Sequence, residues 1–202
     1  MTRQLLSLAI TLPPGLPVET AVPIATMAGR LGFSAIHISP EDQTLVAELE
    51  RLSEAAAPAL VVFDAPGDAP GLVRANDPAE VARVRAELND SDAMRPLLVS
   101  VPISIGRTMN EATARADLEA RFTGDYHPSV HGIFGTFEKA QSDVLALARA
   151  GADGLVLDVP LERDIADVLA QVRALVVGAT PELVNAADGP AKPAPRTSFY
   201  GE

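Results

Sequence analysis

The stretch His131–Pro160, HGIFGTFEKAQSDVLALARAGADGLVLDVP, limits what this chain can fold into more than any other. It reads as a loop, a helix capped by Thr136, a stop at Gly151 and an apolar strand. Thr or Ser at the start and Gly just past the end are helix boundary signals. The run GLVL is apolar at every position, so that strand must be covered on both sides. Strands of that kind alternate with helices in parallel βα proteins.

The same alternation extends along the chain. LLSLAIT (Leu5–Thr11) is a short apolar run closed by LPPGLP and reads as a first strand followed by a loop. A helix follows with Val22, Met27 and Leu31 at helical spacing, Pro23 in its first turn and Gly32 as its stop. SAIHIS (Ser34–Ser39) reads as the second strand, and Leu45, Leu49 and Leu52 mark one face of a second helix. ALVVFDAP (Ala59–Pro66) is the third strand, and Gly71–Arg74 is a brief extended piece. Asp77-Pro78 supplies an N-cap and a first-turn proline for a helix ending near Leu88. PLLVSVPISIG (Pro96–Gly106) is the fourth strand, and Thr108 with Glu111 forms a capping box for a helix ending near Ala120. After DGLVLDVP, the fifth strand, a last helix runs from Arg163 to about Val176 with Ile165, Val168 and Leu169 inward. The reading divides the chain into an α/β domain over 1–180 and a Pro/Ala-rich tail over 181–202. Five or six strands fall short of the eight, in typically about 250 residues, that a closed (β/α) barrel needs. The expected fold class is therefore an incomplete TIM-barrel-like parallel βα fold.

Composition narrows the chemistry. The net charge is −11, from 27 acids against 16 bases, which argues against nucleic acid and anionic membrane surfaces as partners. There are no cysteines, which removes disulfides, thiolate catalysis and Cys-based metal sites. His37, His127 and His131 are the only histidines and show no zinc-ligand spacing. The apolar run at the N-terminus is too short and too broken by proline for a signal peptide, so a cytoplasmic protein is expected. No Gly-rich dinucleotide fingerprint, P-loop or serine elbow occurs.

The segments RANDPAEVARVRAEL, PLLVSVPISIGRTMNEATARADLEARF and HGIFGTFEKAQSDVLALARAGADGLVLDVP together resemble the luciferase-like monooxygenases, which depend on flavin or deazaflavin. Those enzymes close with a strand, a GxTxxEAxARA helix and a GTPExV unit ending in AGxDG; here Phe137 replaces that proline. The N-terminal AGRLGFSAIHIS is similar to the family's first helix and second strand. The departure lies in the middle, where VVFDAPGDAPGLVRANDPAE runs almost directly from the third strand to the later helices. The units that supply much of the family's flavin contact are missing there. The resemblance implies an FMN- or deazaflavin-dependent oxidoreductase acting on a small organic substrate. The alternatives are a non-catalytic flavin-binding or accessory subunit of the same lineage, and an unrelated small α/β protein.

In parallel βα folds, ligands meet the C-terminal ends of the strands. That rule nominates Ser39, Glu41 and Asp42 after the second strand, Asp64 after the third, Ser104, Arg107 and Thr108 after the fourth, and Asp158 after the fifth. Arg107 beside a helix N-terminus suits a phosphate, or is a surface arginine with Thr108 acting only as cap. Asp64 is a proton acceptor or ribityl contact, or an Asx turn before Pro66. His37 lies between two isoleucines and faces either a flavin or a hydrogen-bonded core. His127 and His131 flank PSV in a loop and either lid a pocket or bond the backbone. The expected catalytic set is His37, Asp64 and His131, and the expected cofactor set is Ser39, Ser104, Arg107 and Thr108. A metal is not expected. Asp158 either joins the site or caps the last helix. An incomplete barrel leaves apolar strand surface and open edges, so a homodimer is expected.

Overall fold

The fold is taken from a computed structural model that describes residues 6–38, 42–55, 61–63, 71–74, 77–90, 96–161 and 164–187. The described residues form seven strands: β1 (Ser7–Thr11), β2 (Ala35–His37), β3 (Val61–Phe63), β4 (Gly71–Arg74), β5 (Leu97–Gly106), β6 (Ile133–Thr136) and β7 (Gly154–Asp158). The helices are α1 (Val18–Arg30), α2 (Gln43–Ala55), α3 (Pro78–Asp90), α4 (Met109–Leu118), the single turn α5 (Pro128–His131), α6 (Phe137–Arg149) and α7 (Ile165–Ala187).

Every strand pair is parallel, in the order β3-β2-β1-β7-β5-β4 with β6 on β5. Strands β1, β2 and β3 follow chain order on one side of β7, and β5 and β4 lead away on the other, as around a barrel. Among the described residues the ring does not close between β3 and β4, which stand at opposite ends of the sheet. The strand count is higher than the five or six expected. The brief extended piece at Gly71–Arg74 pairs with β5, and Ile133–Thr136, expected to be loop, is a strand as well.

Strand β5 explains how β6 fits. Its lower half pairs with β7 as far as Pro102, opposite Asp158, and its upper half pairs with β6 from Ile103 onward. Proline has no N–H to give a ladder, so an exchange of partners there is economical. The chain enters β6 through Gly132, where a Cβ would stand 2.4 Å from the Pro102 carbonyl oxygen. Only glycine fits that approach.

Both motif glycines close helices in the same way. After α1, Gly32 N–H bonds to Gly29 O and Phe33 N–H to Ala28 O; after α6, Gly151 N–H bonds to Ala148 O and Ala152 N–H to Leu147 O. Each is a Schellman motif, and both glycines have positive φ. Two boundaries differ from expectation. Helix α1 starts at Val18, so Pro23 lies inside it and not in its first turn. Helix α7 runs past Val176 to Ala187, into the segment assigned to the tail.

The sheet has two unlike faces. Leu8, Ile10, Ile36, Leu97, Val99, Val101, Leu155 and Leu157 join the large core with the helices. The alternate residues Ala9, Ala35, Leu98 and Val156 form a separate small cluster on the concave face. At the N-terminal ends, Asp153 ties the base together. Its carboxylate accepts from Arg85 and, at 2.7 Å, from Leu97 N–H, and its carbonyl accepts from Ser7 N–H at 3.0 Å.

Candidate functional site at the C-terminal ends of the strands

The concave face ends in a polar row. Register places Ala35 opposite Ala9, Ala9 opposite Val156, and Val156 opposite Ser100. Two residues further along each strand, the side chains return to the same face. There His37 lies opposite Thr11, Asp158 opposite Pro102, and Thr11 one step beyond the Ile10–Leu157 pair. Small apolar side chains thus floor the face, while a histidine, a threonine and a carboxylate rim it. Across two strand spacings His37 and Asp158 stand about 10 Å apart.

His37 is half-buried, and its Nδ1 lies 3.4 Å from the Thr11 hydroxyl. Asp158 is buried, and its carboxylate accepts the Tyr126 hydroxyl. The Arg121 guanidinium lies 3.8 Å from the other Asp158 oxygen and partly balances the buried charge. The segment between α4 and α5 is fastened to this end of the sheet. Arg121 donates to Val159 O at 2.7 Å and to Glu119 at 2.8 Å, while Glu119 accepts Leu161 N–H at 3.0 Å. Burial disfavours ionisation of Glu119, but the bonds from Arg121 and Leu161 outweigh it and hold the carboxyl below its ordinary range.

The expected site residues separate into groups. His37 is on the row. Ser104 is fully buried and its hydroxyl donates to Ala112 O at 2.8 Å, so it fastens α4. Thr108 accepts Glu111 N–H at 3.2 Å as N-cap, and Glu111 returns a bond to Arg107 N–H at 2.9 Å. The capping box is formed, with its return bond one residue upstream of the cap. Arg107 is exposed beside the start of α4. His131 ends α5 and is exposed, and Asp42 accepts Leu45 N–H at 3.3 Å at the head of α2. Ser39, Glu41 and Asp64 lie outside the described residues. Thr136 does stand at the N-cap of α6, but its side chain makes no cap bond.

Sequence reasoning nominated Asp158 and missed Tyr126, Thr11, Arg121 and Glu119. The one available signal was an aromatic hydroxyl in an otherwise polar loop. Tyr126 reaches a residue 32 positions away, which spacing alone does not show. Among the described residues no cluster of three or more His, Cys, Asp or Glu side chains could hold a metal ion. None of the described helices is long and apolar enough to cross a membrane.

No protein-family model matches the sequence, and no curated protein matches it. Solved structures do. The coenzyme F420 dependent tetrahydromethanopterin reductase from Methanopyrus kandleri superposes with a TM-score of 0.53 at 11% identity, over 86% of this chain and 99% of that one. Apo-MsnO8 superposes with a TM-score of 0.49 at 12% identity, over 87% and 98%. The chain shares the TIM-barrel-like parallel βα fold of the reductase, and among the described residues of this chain the sheet does not close.

Proposed function

We propose that this chain is a luciferase-like oxidoreductase that binds FMN or a deazaflavin on the concave face of the sheet and acts on a small organic substrate. The polar row His37, Thr11 and Asp158 carries the reading. It lies where ligands meet parallel βα folds, above a floor of small side chains, in a chain with the fold of an F420-dependent enzyme. The described residues fit such a group. Ala9 and Ala35 leave the floor low, and His37, Thr11 and Tyr126 bring hydroxyl and imidazole groups to the rim. Arg107 is an exposed cation beside a helix N-terminus and suits a phosphate. Ser39 and Asp64, which follow β2 and β3 in the chain, remain part of the proposed cofactor and catalytic sets. Ser104 and Thr108 act by holding α4, and thereby Arg107, in place.

When bound, the cofactor supplies the hydride or electron transfer. The protein's part is position and charge. Asp158 fixes the Tyr126 phenol, and Thr11 orients the His37 ring, so each presents its polar atom to the concave face. His131 stands on the α5 turn at the same end of β5. A homodimer, which would cover the ends of the open sheet, is part of the proposal.

A second reading, a non-catalytic flavin-binding or accessory subunit, is favoured by the break between β3 and β4. Titration with FMN and with a deazaflavin, followed by fluorescence quenching, tests the first. Saturable binding is expected, weakened at least tenfold in Asp158→Asn and His37→Ala (about 1.4 kcal/mol). A purified protein with no flavin absorbance and no saturable quenching overturns cofactor binding. Binding without turnover of the reduced cofactor leaves the accessory reading. Light scattering at micromolar concentration tests the dimer, and a clean 21.1 kDa monomer refutes it.

A further inference from the structure

Away from the polar row, His127 at the N-cap of α5 contacts both Ser129 of α5 and Asp117 of α4. The His127 Nδ1 lies 2.6 Å from the Ser129 hydroxyl and 3.2 Å from Ser129 N–H. A backbone N–H can only donate, so Nδ1 is the acceptor. In the neutral ring the proton is therefore on Nε2. That Nε2 is shut off from solvent and faces the Asp117 carboxylate at 3.3 Å, short of the linear geometry of a full hydrogen bond. The hydroxyl of Ser129 thus points at a base, and the far side of the base faces an anion. Ser129 is exposed, whereas the His127 side chain is only 16% exposed and lies against Phe134, ring centroids 6.2 Å apart. Two of the large apolar side chains left exposed, Leu118 at 79% and Val130 at 51%, directly follow Asp117 and Ser129 in the chain.

We propose that Ser129 is a nucleophilic serine, activated by His127 and Asp117, that accepts acyl groups from apolar or activated carboxylic esters. The Ser129 oxygen bonds to the ester carbonyl carbon, and the bond from that carbon to the alkoxy oxygen breaks. The serine proton passes to His127 Nδ1 and then to the leaving alcohol. Asp117 stabilises the imidazolium formed between the two transfers. Water then hydrolyses the acyl-serine by the reverse use of the same base. The Ser129 and Val130 N–H groups are already committed to His127, at 3.2 Å on Nδ1 and 2.8 Å on its carbonyl. They are not offered to an oxyanion, and removing one such donor costs about 10²–10³ in rate where it has been measured. Acylation is therefore confined to good leaving groups, and deacylation is slow.

The test uses the full chain with p-nitrophenyl acetate and p-nitrophenyl butyrate, following released p-nitrophenolate and the intact mass. The expected result is a burst of one equivalent per chain, one acyl adduct mapped to Ser129, and faster acylation of the butyrate. Ser129→Ala, at an exposed position, should abolish burst and adduct with unchanged circular dichroism. Asp117→Asn should slow the burst about tenfold. His127→Gln should slow it about 10²- to 10⁴-fold, the range of a positioned general base. If His127→Gln unfolds, the Asp117→Asn rate decides. No adduct, an adduct on Lys139, or a burst that survives Ser129→Ala overturns the proposal.

Discussion

Asp153→Ala is expected to destabilise the chain by about 2 kcal/mol without touching ligand binding. The carboxylate accepts Leu97 N–H at 2.7 Å and pairs with Arg85 at the base of the sheet. Leu97 is fully buried, so removing the acceptor strands a backbone donor, which costs about 1–3 kcal/mol. The ion pair adds less. The Asp153 side chain is 36% exposed, and solvent screening holds such pairs to about 0–1 kcal/mol. Arg85 also keeps its bonds to Gly151 O at 2.9 and 2.7 Å. For a chain of this size about 2 kcal/mol corresponds to a fall in Tm of roughly 4–8 °C. Asp153→Asn retains an oxygen for Leu97 N–H and should cost about half as much. Urea unfolding with a lowered midpoint and an unchanged m-value is the assay. Because the proposed site lies at the C-terminal ends of the strands and Asp153 at the N-terminal ends, any flavin binding by the variant should match the wild type. An Asp153→Ala shift below about 0.5 kcal/mol would refute the claim that this carboxylate satisfies a buried donor.

The two helix caps should respond differently. Thr108→Ala loses a cap bond and should cost about 1 kcal/mol, while Thr136→Ala, whose side chain makes none, should cost less than about 0.5 kcal/mol by thermal melt. Gly106→Ala should destabilise by about 1–3 kcal/mol, because a Cβ there would lie 2.5 Å from Ala112 N and 2.8 Å from Thr108 O, both backbone atoms. Glu119 titrates lower in the folded chain than in the unfolded one, so its contribution is present above the ordinary glutamate range and is lost as pH falls through its folded value. Denaturation midpoints between about pH 6 and pH 3 should therefore fall less steeply in Glu119→Gln than in wild type.

Several features were legible because they are local. Gly32, Gly151, Thr108 with Glu111, and the start of α6 at Thr136 each act within one turn of their own position. Their chemistry depends on neighbours already visible in the sequence. The apolar runs GLVL and LLVSVPISI needed cover on both faces, and that requirement fixed the parallel βα class. An incomplete barrel was legible from the strand count as well, and the sheet of the described residues does not close.

Other features depended on register, which the sequence did not show. β6 is four residues beside two glycines, too short for any periodicity, and it is a strand only because the upper half of β5 is open beyond Pro102. Ser104 and His37 both follow the rule for strand ends, yet one hydroxyl turns to α4 while the imidazole joins the concave row. Asp158 meets Tyr126 across 32 residues, and Thr11 meets His37 across 26. A single slip in strand pairing would send each of those side chains to the opposite face. The sequence by itself determined which segments become helix or strand and where they stop, since those preferences are set within a few residues. The tertiary structure alone decided which polar groups share a face, because that depends on how distant strands align.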